Sequence, residues 1–140
     1  MMKPKLSIII LNYNTRDLLK NCLESIKANT QKLAYEVVVS DNSSIDGSSE
    51  MVRAKFPWVR LITGENISFS NGNNRAKDIV KGEFVLLLNS DTLVHKNTLE
   101  KTVDYIEKHN EVGALTCKLV LASGESDKDA RRRFPTPWIS

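Results

Sequence analysis

Short runs of nearly continuous Val, Ile and Leu, each followed by a stretch with helical spacing, limit what this chain can become more than any other feature. The runs are Leu6–Leu11, Tyr35–Ser40, Val59–Thr63, Glu83–Asn89 and Gly113–Leu121. Apolar runs without polar alternation suit strands covered on both faces, as in a parallel sheet. Between the first two, Leu18, Leu19, Cys22, Leu23 and Ile26 recur at spacings that give one apolar helix face. Asn14 and Asp17 supply start signals for that helix. Asp46 can cap a second helix over Gly47–Lys55, which Pro57 stops. A third spans Asn71–Lys81 and ends at Gly82, and a fourth, Asn97–His109, places Leu99, Val103 and Ile106 on one side. Parallel neighbours need long crossover connections, so this order predicts an α/β fold: a three-layer α/β/α sandwich around a mostly parallel sheet.

The chain has 140 residues, 41% hydrophobic and 26% charged, which suits one domain with its own core. Its net charge of +3 is local. Lys128, Arg131, Arg132 and Arg133 against Asp129 account for all of it, so the rest sums to zero. A neutral body with a basic tail excludes the broad basic face of a nucleic-acid binder. No apolar run approaches the roughly 18 residues needed to span a bilayer, and Met1–Lys5 is too short for a signal peptide. Cys22 and Cys117 sit in apolar patterns without C-x-x-C spacing and read as reduced, buried residues of a cytoplasmic protein. The pattern dissolves after Leu121, so residues 1–121 read as the folded body and 122–140, with Pro135 and Pro137, as an extended or poorly ordered segment.

In an open parallel sheet, ligands bind beyond the carboxyl ends of the strands. After the first run comes Asn12-Tyr13-Asn14; after the second, Asp41 through Ser48; after the third, Asn66 through Asn74; after the fourth, Ser90-Asp91-Thr92. These residue types also make ordinary turns and caps. Their recurrence at four consecutive exits is what marks a site.

SIIILNYN at Ser7–Asn14, VVVSDNSSIDGS at Val37–Ser48, NISFSNGNNRA at Asn66–Ala76 and FVLLLNSDT at Phe84–Thr92 resemble, in order and spacing, the blocks of family 2 glycosyltransferases. The likeness is greatest to bacterial rhamnosyltransferase-type members, and continues weakly through RRRFPTP at Arg131–Pro137. It implies the Rossmann-like GT-A fold and transfer of a sugar, with inversion, from a UDP- or dTDP-sugar donor to a glycan or lipid-linked acceptor in cell-surface polysaccharide synthesis. The nucleotide-binding residues it implies are Leu11, Asn12, Tyr13, Asp41, Ser43, Asn66, Gly72, Asn73, Asn74, Ser90 and Asp91. Tyr13 would wall the base, or merely cover the edge of the core. Asp41 would accept the ring N3–H, or merely cap a turn. The family's D-x-D motif reads Asn89-Ser90-Asp91 here, which leaves Asp91 as the one anionic ligand for a divalent cation, Mn2+ or Mg2+, that neutralises the diphosphate. Gly72 would let backbone approach the ligand. Arg75 and Lys77 read as a solvated helix face, and His95 and His109 as surface residues. Arg131–Arg133 could meet a diphosphate or an anionic lipid at the membrane surface, a peripheral contact.

Inverting transfer needs a general base. The acidic residues after Gly113 are Glu125, Asp127 and Asp129, in a polar stretch without the family's pattern, so no catalytic residue is assigned and the chain reads as the truncated nucleotide-binding part of an enzyme. The competing expectation is a non-catalytic nucleotide-sugar-binding or assembly module, with an exposed sheet edge that could pair into a homo-oligomer. A dinucleotide-binding domain is disfavoured, because NYNTRD and not G-x-G-x-x-G follows the first run.

Overall fold

The computed structural model describes residues 3–127. The chain divides into two compact units, Met1–Tyr105 and Ile106–Ser140. In the first, β1 (Leu6–Asn12), β2 (Tyr35–Asp41), β3 (Arg60–Thr63) and β4 (Phe84–Asn89) alternate with α1 (Arg16–Asn29), α2 (Ser48–Lys55) and α3 (Phe69–Lys77); α4 (Thr98–Lys108) follows β4. The sheet order is β3-β2-β1-β4. All three pairings are parallel, with Leu6 opposite both Tyr35 and Phe84, and Asn12 opposite Asp41. The chain steps outward from β1 through β2 to β3 and then returns past β1 to β4. Crossovers in opposite directions with one hand fall on opposite faces. Accordingly α1 and α2 cover one face and α3 the other. The α/β sandwich expected from the sequence is the fold observed.

The two faces are unequal. Ile8, Ile10, Val37 and Val39 turn towards α1, α2 and α4, where Leu19, Cys22, Leu23, Ile26, Val52, Leu99 and Val103 complete the main core. The other face holds only Ile9, Val38 and Ala76, with Ile62, Ile79 and Val80 around them. One helix is too narrow to cover four strands. Val85 and Leu87 of the edge strand β4 therefore stay 52% and 56% exposed, against the expectation of strands buried on both faces.

Three further expectations are corrected. The helix expected at Asn71 starts at Phe69, because the Ser68 hydroxyl accepts from the Asn71 N–H as an N-cap, and it ends at Lys77, well before Gly82. The first helix is capped at Thr15, not Asn14, and the Thr15 side chain makes no capping bond. Asp46 caps it instead: its Oδ2 accepts from Arg16 N at 2.9 Å while its Oδ1 accepts from Ser48 N at 3.0 Å and Ser48 Oγ at 2.5 Å. One carboxylate thus serves the starts of α1 and α2, a favourable place for negative charge. The fifth run, Gly113–Leu121, is not a strand, since apolar sequence makes one only where a neighbour supplies hydrogen bonds. In the second unit its end forms a tight reversal around Gly124 (φ +87°), with Val120 bridged to Ser126 and Leu121 N donating to Glu125 O at 2.8 Å. The expected patternless segment is therefore locally ordered over 122–127. Arg131–Arg133, Pro135 and Pro137 lie outside the described residues. Cys22 is buried and Cys117 half-buried, and no disulfide joins them. No helix among the described residues is long and apolar enough to cross a membrane.

Two stability measurements check this packing. Ile8→Ala, at a fully buried position, should lower the unfolding free energy by about 2–5 kcal/mol, whereas Leu87→Ala should change it by less than about 0.5 kcal/mol. Burial works to raise the Asp46 pKa, but the Ser48 hydroxyl and the Arg16 and Ser48 N–H groups outweigh it and hold the carboxyl below the usual range. Glu36 is lowered in the same way, burial being outweighed by the Ser7 hydroxyl and the Lys81 and Gly82 N–H groups. A lowered native pKa contributes stability that is present above the unfolded value and lost as pH falls through the native one. The urea midpoint should hold from pH 7 to about 5 and fall below roughly pH 4, with a shallower fall for Asp46→Asn.

Candidate functional site

Because the strands are parallel, all four exits lie at one end of the sheet, and hydrogen bonds join them. Asn42 N donates to Asn12 O at 2.9 Å and Gly64 N to Asp41 O at 3.0 Å, carrying the ladder past the strand ends. Asn14 takes a positive φ of 52°, receives Ile45 N on its Oδ1 at 2.9 Å, and donates its own N–H to Ser44 Oγ at 2.9 Å. Ser43 also lies in the left-handed region (φ 58°), costly for a residue with a Cβ, and its hydroxyl donates to Gly64 O at 3.0 Å. The loops after β1, β2 and β3 thus hold one another.

Asp41 is the hub. It is 1% exposed. Its Oδ1 accepts from Asn12 Nδ2 at 2.7 Å and Ser44 Oγ at 2.6 Å, and its Oδ2 from Ser44 N at 2.9 Å and Ser49 Oγ at 3.2 Å. A carboxylate offers about four lone-pair sites, so all are occupied. A ring N–H can reach Asp41 only by displacing one of these donors, and Ser49 holds the longest bond.

On the other side of β1, Thr15 Oγ1 donates to Asn12 Oδ1 at 2.7 Å and lies 2.9 Å from Ser90 Oγ. Asp41 and the Ser90-Asp91 turn are therefore linked through two side chains. The turn is closed by Thr92 N donating to Asn89 O at 3.2 Å, and Asn89 and Asp91 are exposed. Cys22, beneath it, donates to Asn89 O, and burial, with the Asp91 charge adding to it, pushes its thiol up to about 12, so it is an inert floor.

The residues expected from sequence divide into two groups. Asn12, Asp41, Ser43 and Ser90 meet in this network. Asn66 joins its rim, its Oδ1 accepting from Asn42 Nδ2 at 3.1 Å. Tyr13 and Asp91 are exposed beside it, with apolar Ile45, Ile67 and Phe69 also open at the same end. Leu11, Gly72 and Asn73 are instead packing residues. A Cβ on Gly72 would come within 2.3 Å of Leu11 Cδ1, so this glycine lets α3 close onto β1, and Asn73 Nδ2 turns back to Phe69 O at 3.0 Å. Asn74 is exposed on α3. Gly72 lies within a helix and not in a loop, because Ser68 begins that helix early.

Sequence reasoning missed Thr15, Asn42, Ser44, Ser49 and the role of Arg75. Far from a solvated face, Arg75 shares Nη1 among Ser40 Oγ, Asp41 O and Asn42 Oδ1 at 3.2–3.3 Å and gives Nη2 to Glu65 O at 2.8 Å. Gly64 makes room for it: a Cβ there would sit 2.4 Å from Arg75 Cζ. Lys77 is exposed, as expected. Two glycines at positions 64 and 72 beside a run of amides were the available signal for tight packing here.

The model for glycosyl transferase family 2 matches residues 7–138. The chain is 33% identical over 119 residues to the uncharacterized glycosyltransferase YfnE of Bacillus subtilis, covering 82% of this chain and 30% of that protein. It is 29% identical over 111 residues to the poly(ribitol-phosphate) β-N-acetylglucosaminyltransferase TarS of Staphylococcus aureus, covering 76% of this chain and 19% of TarS. Among solved structures, TarS residues 1–349 superpose with a TM-score of 0.66 at 28% identity, over 76% of this chain and 33% of that one. The mannosyltransferase PcManGT of Pyrobaculum calidifontis, solved with GDP-Man and Mn2+, superposes with a TM-score of 0.65 at 26% identity, over 76% of this chain and 33% of that one. The chain therefore spans about a third or less of the length of these relatives. With a parallel four-stranded sheet that matches GT-A enzymes and a family model that covers nearly all of its length, this chain belongs to glycosyl transferase family 2.

Proposed function

We propose that the chain forms the nucleotide-sugar-binding part of an inverting glycosyltransferase that moves a sugar from a UDP- or dTDP-sugar to a glycan or lipid-linked acceptor in cell-surface polysaccharide synthesis, in the cytoplasm or at the inner face of the membrane. The observation that carries this reading is the single network from Asp41 through Asn12 and Thr15 to Ser90, which puts two carboxylate-bearing exits at one end of the sheet. TarS has been solved with UDP and with UDP-GlcNAc. In this reading the base lies against Tyr13 and displaces Ser49 from Asp41, and the diphosphate lies towards Asp91.

The donor set fits a divalent cation of modest affinity. Asp91 offers an exposed carboxylate, Asn89 an amide oxygen and Ser90 a hydroxyl, while no group of three His, Cys, Asp or Glu side chains that could hold a metal occurs among the described residues. The remaining ligands would come from the diphosphate, whose leaving charge the cation offsets. A second reading, a non-catalytic nucleotide-sugar-binding or assembly module, is favoured by the uncovered edge strand β4 with Val85 and Leu87 exposed. Transfer to an added acceptor separates the two, since the module binds donor and releases no product.

Titration with UDP or dTDP in the presence of Mn2+ tests the site. Asp91→Asn should weaken metal-dependent binding by at least about 10-fold, the loss typical even of a partner one shell beyond the metal, with an unchanged melting temperature. Asp41→Ala should lose binding and also melt earlier, because Asn12, Ser44 and Ser49 lose their buried acceptor. No binding by the wild-type chain to either nucleotide, with or without metal, would remove the reading.

A further inference from the structure

Thr15 stands at the N-cap of α1, where a threonine ordinarily accepts a hydrogen bond from the helix. Here it makes no such bond, because Asp46 caps the helix from another loop. Its hydroxyl is free for another task.

The hydrogen bonds around it run one way. Ser44 Oγ gives its proton to Asp41 Oδ1, so it can only accept from Asn12 Nδ2, at 3.0 Å. The Asp41 carboxylate also accepts from Asn12 Nδ2, at 2.7 Å. Reversing the Asn12 amide would set its oxygen against two acceptors, so the orientation is fixed. Asn12 Oδ1 then faces Thr15 and must accept the Thr15 proton. Thr15 has one proton and has spent it, so across the 2.9 Å contact it is Ser90 Oγ that donates. The order is Ser90 to Thr15 to Asn12 to Asp41, each hydroxyl or amide polarised by the next. What Ser90 Oγ presents to the outside is lone pairs only.

We propose that Thr15 is a positioning residue that turns Ser90 into an obligate acceptor beside Asp91, so that Ser90 faces an electron-poor group, a divalent cation or a sugar hydroxyl, and not a phosphate oxygen. The proposal rests on the donor-site reading for its ligand, while the one-way chain itself rests on the fold alone. It also joins the Asp41 exit energetically to the Asp91 exit across β1.

The test compares the full 140-residue chain with Thr15→Val and Thr15→Ser. Valine keeps the shape and loses no helix cap but leaves the buried Asn12 Oδ1 without its donor, so Thr15→Val should stay folded and melt roughly 3 to 12 degrees below wild type. In nitrogen–proton NMR spectra, Thr15→Val should shift the Asn12 side-chain amide and the Ser90 and Asp91 backbone amides together, and Thr15→Ser should return them. Binding is then read in two arms, UDP with Mn2+, which supplies the cation without a transferable sugar, and UDP-N-acetylglucosamine with a chelator, which supplies the hydroxyls of the transferable sugar without a cation. Thr15→Val should weaken binding about 3- to 10-fold, the effect of one hydrogen bond: a loss in the first arm alone assigns Ser90 to the cation, in the second alone to the transferable sugar, and in both to a ribose hydroxyl, which the two arms share. Amide shifts confined to residues next to Thr15 in sequence, no recovery in Thr15→Ser, or equal binding of wild type and Thr15→Val in both arms overturns the proposal. If the wild type binds in neither arm, the donor-site reading falls, and the NMR comparison alone decides whether the chain of hydrogen bonds exists.

Discussion

A carboxylate withdrawn from water must be met by donors, and at Asp41 that requirement organises the end of the sheet where the site lies. Asp41 is the last residue of β2 and only 1% exposed. Leaving such a charge unmatched would cost several kcal/mol. Asn12, from the adjacent strand, and Ser44 and Ser49, from the following loop and helix, match it. The parallel register makes this possible, since Asn12 sits directly opposite Asp41. Satisfying the carboxylate folds the Asn42–Gly47 loop back over the strand end, and that loop brings Asp46 to the start of α1. The exits of β1 and β2 are therefore shaped by one buried charge, with strain at Asn14 and Ser43 carried by the bonds they make.

The apolar packing holds this polar assembly in place. Ile8, Ile10, Val37 and Val39 anchor β1 and β2 against α1 and α2, and the next inward positions along those strands are Asn12 and Asp41. The same sheet face changes from hydrocarbon to hydrogen bonds within one residue pair. On the opposite face the single helix α3 is drawn close by Gly72 and pinned by Arg75, which brings the Gly64–Asn66 loop to Asn42. The two faces divide the work: the thick one supplies rigidity, and the thin one sets the rim.

Continuous apolar runs gave away β1 and β2, because buried parallel strands have no polar alternation to disguise them, and they gave away β4 as well, although one of its faces stays open. The same signal misled at Gly113–Leu121, where apolar content is present but no neighbouring strand occurs among the described residues. Asn66–Asn74 reads as loop from its amides and glycine, yet Ser68 supplies a cap and α3 begins at Phe69. At the site, the identities of Asn12, Asp41 and Ser90 were legible as polar residues at strand exits. Their connections were not. Thr15 meets Ser90 75 positions away, and Arg75 reaches Ser40 across 35, distances at which local pattern carries no information. Whether a hydroxyl caps its own helix or serves a distant strand is decided by whether another residue, here Asp46, has already taken the helix end.

The Gly64–Arg75 contact makes two distant positions share one volume. The guanidinium occupies the volume that any larger residue at position 64 would need, at 2.4 Å from where its Cβ would stand. A larger residue at 64 must therefore push the guanidinium aside, and what it forfeits is set by the bonds Arg75 then releases, those to Ser40, Asp41, Asn42 and Glu65. Substitutions at 64 and 75 remove the same interactions, so their effects should be less than additive.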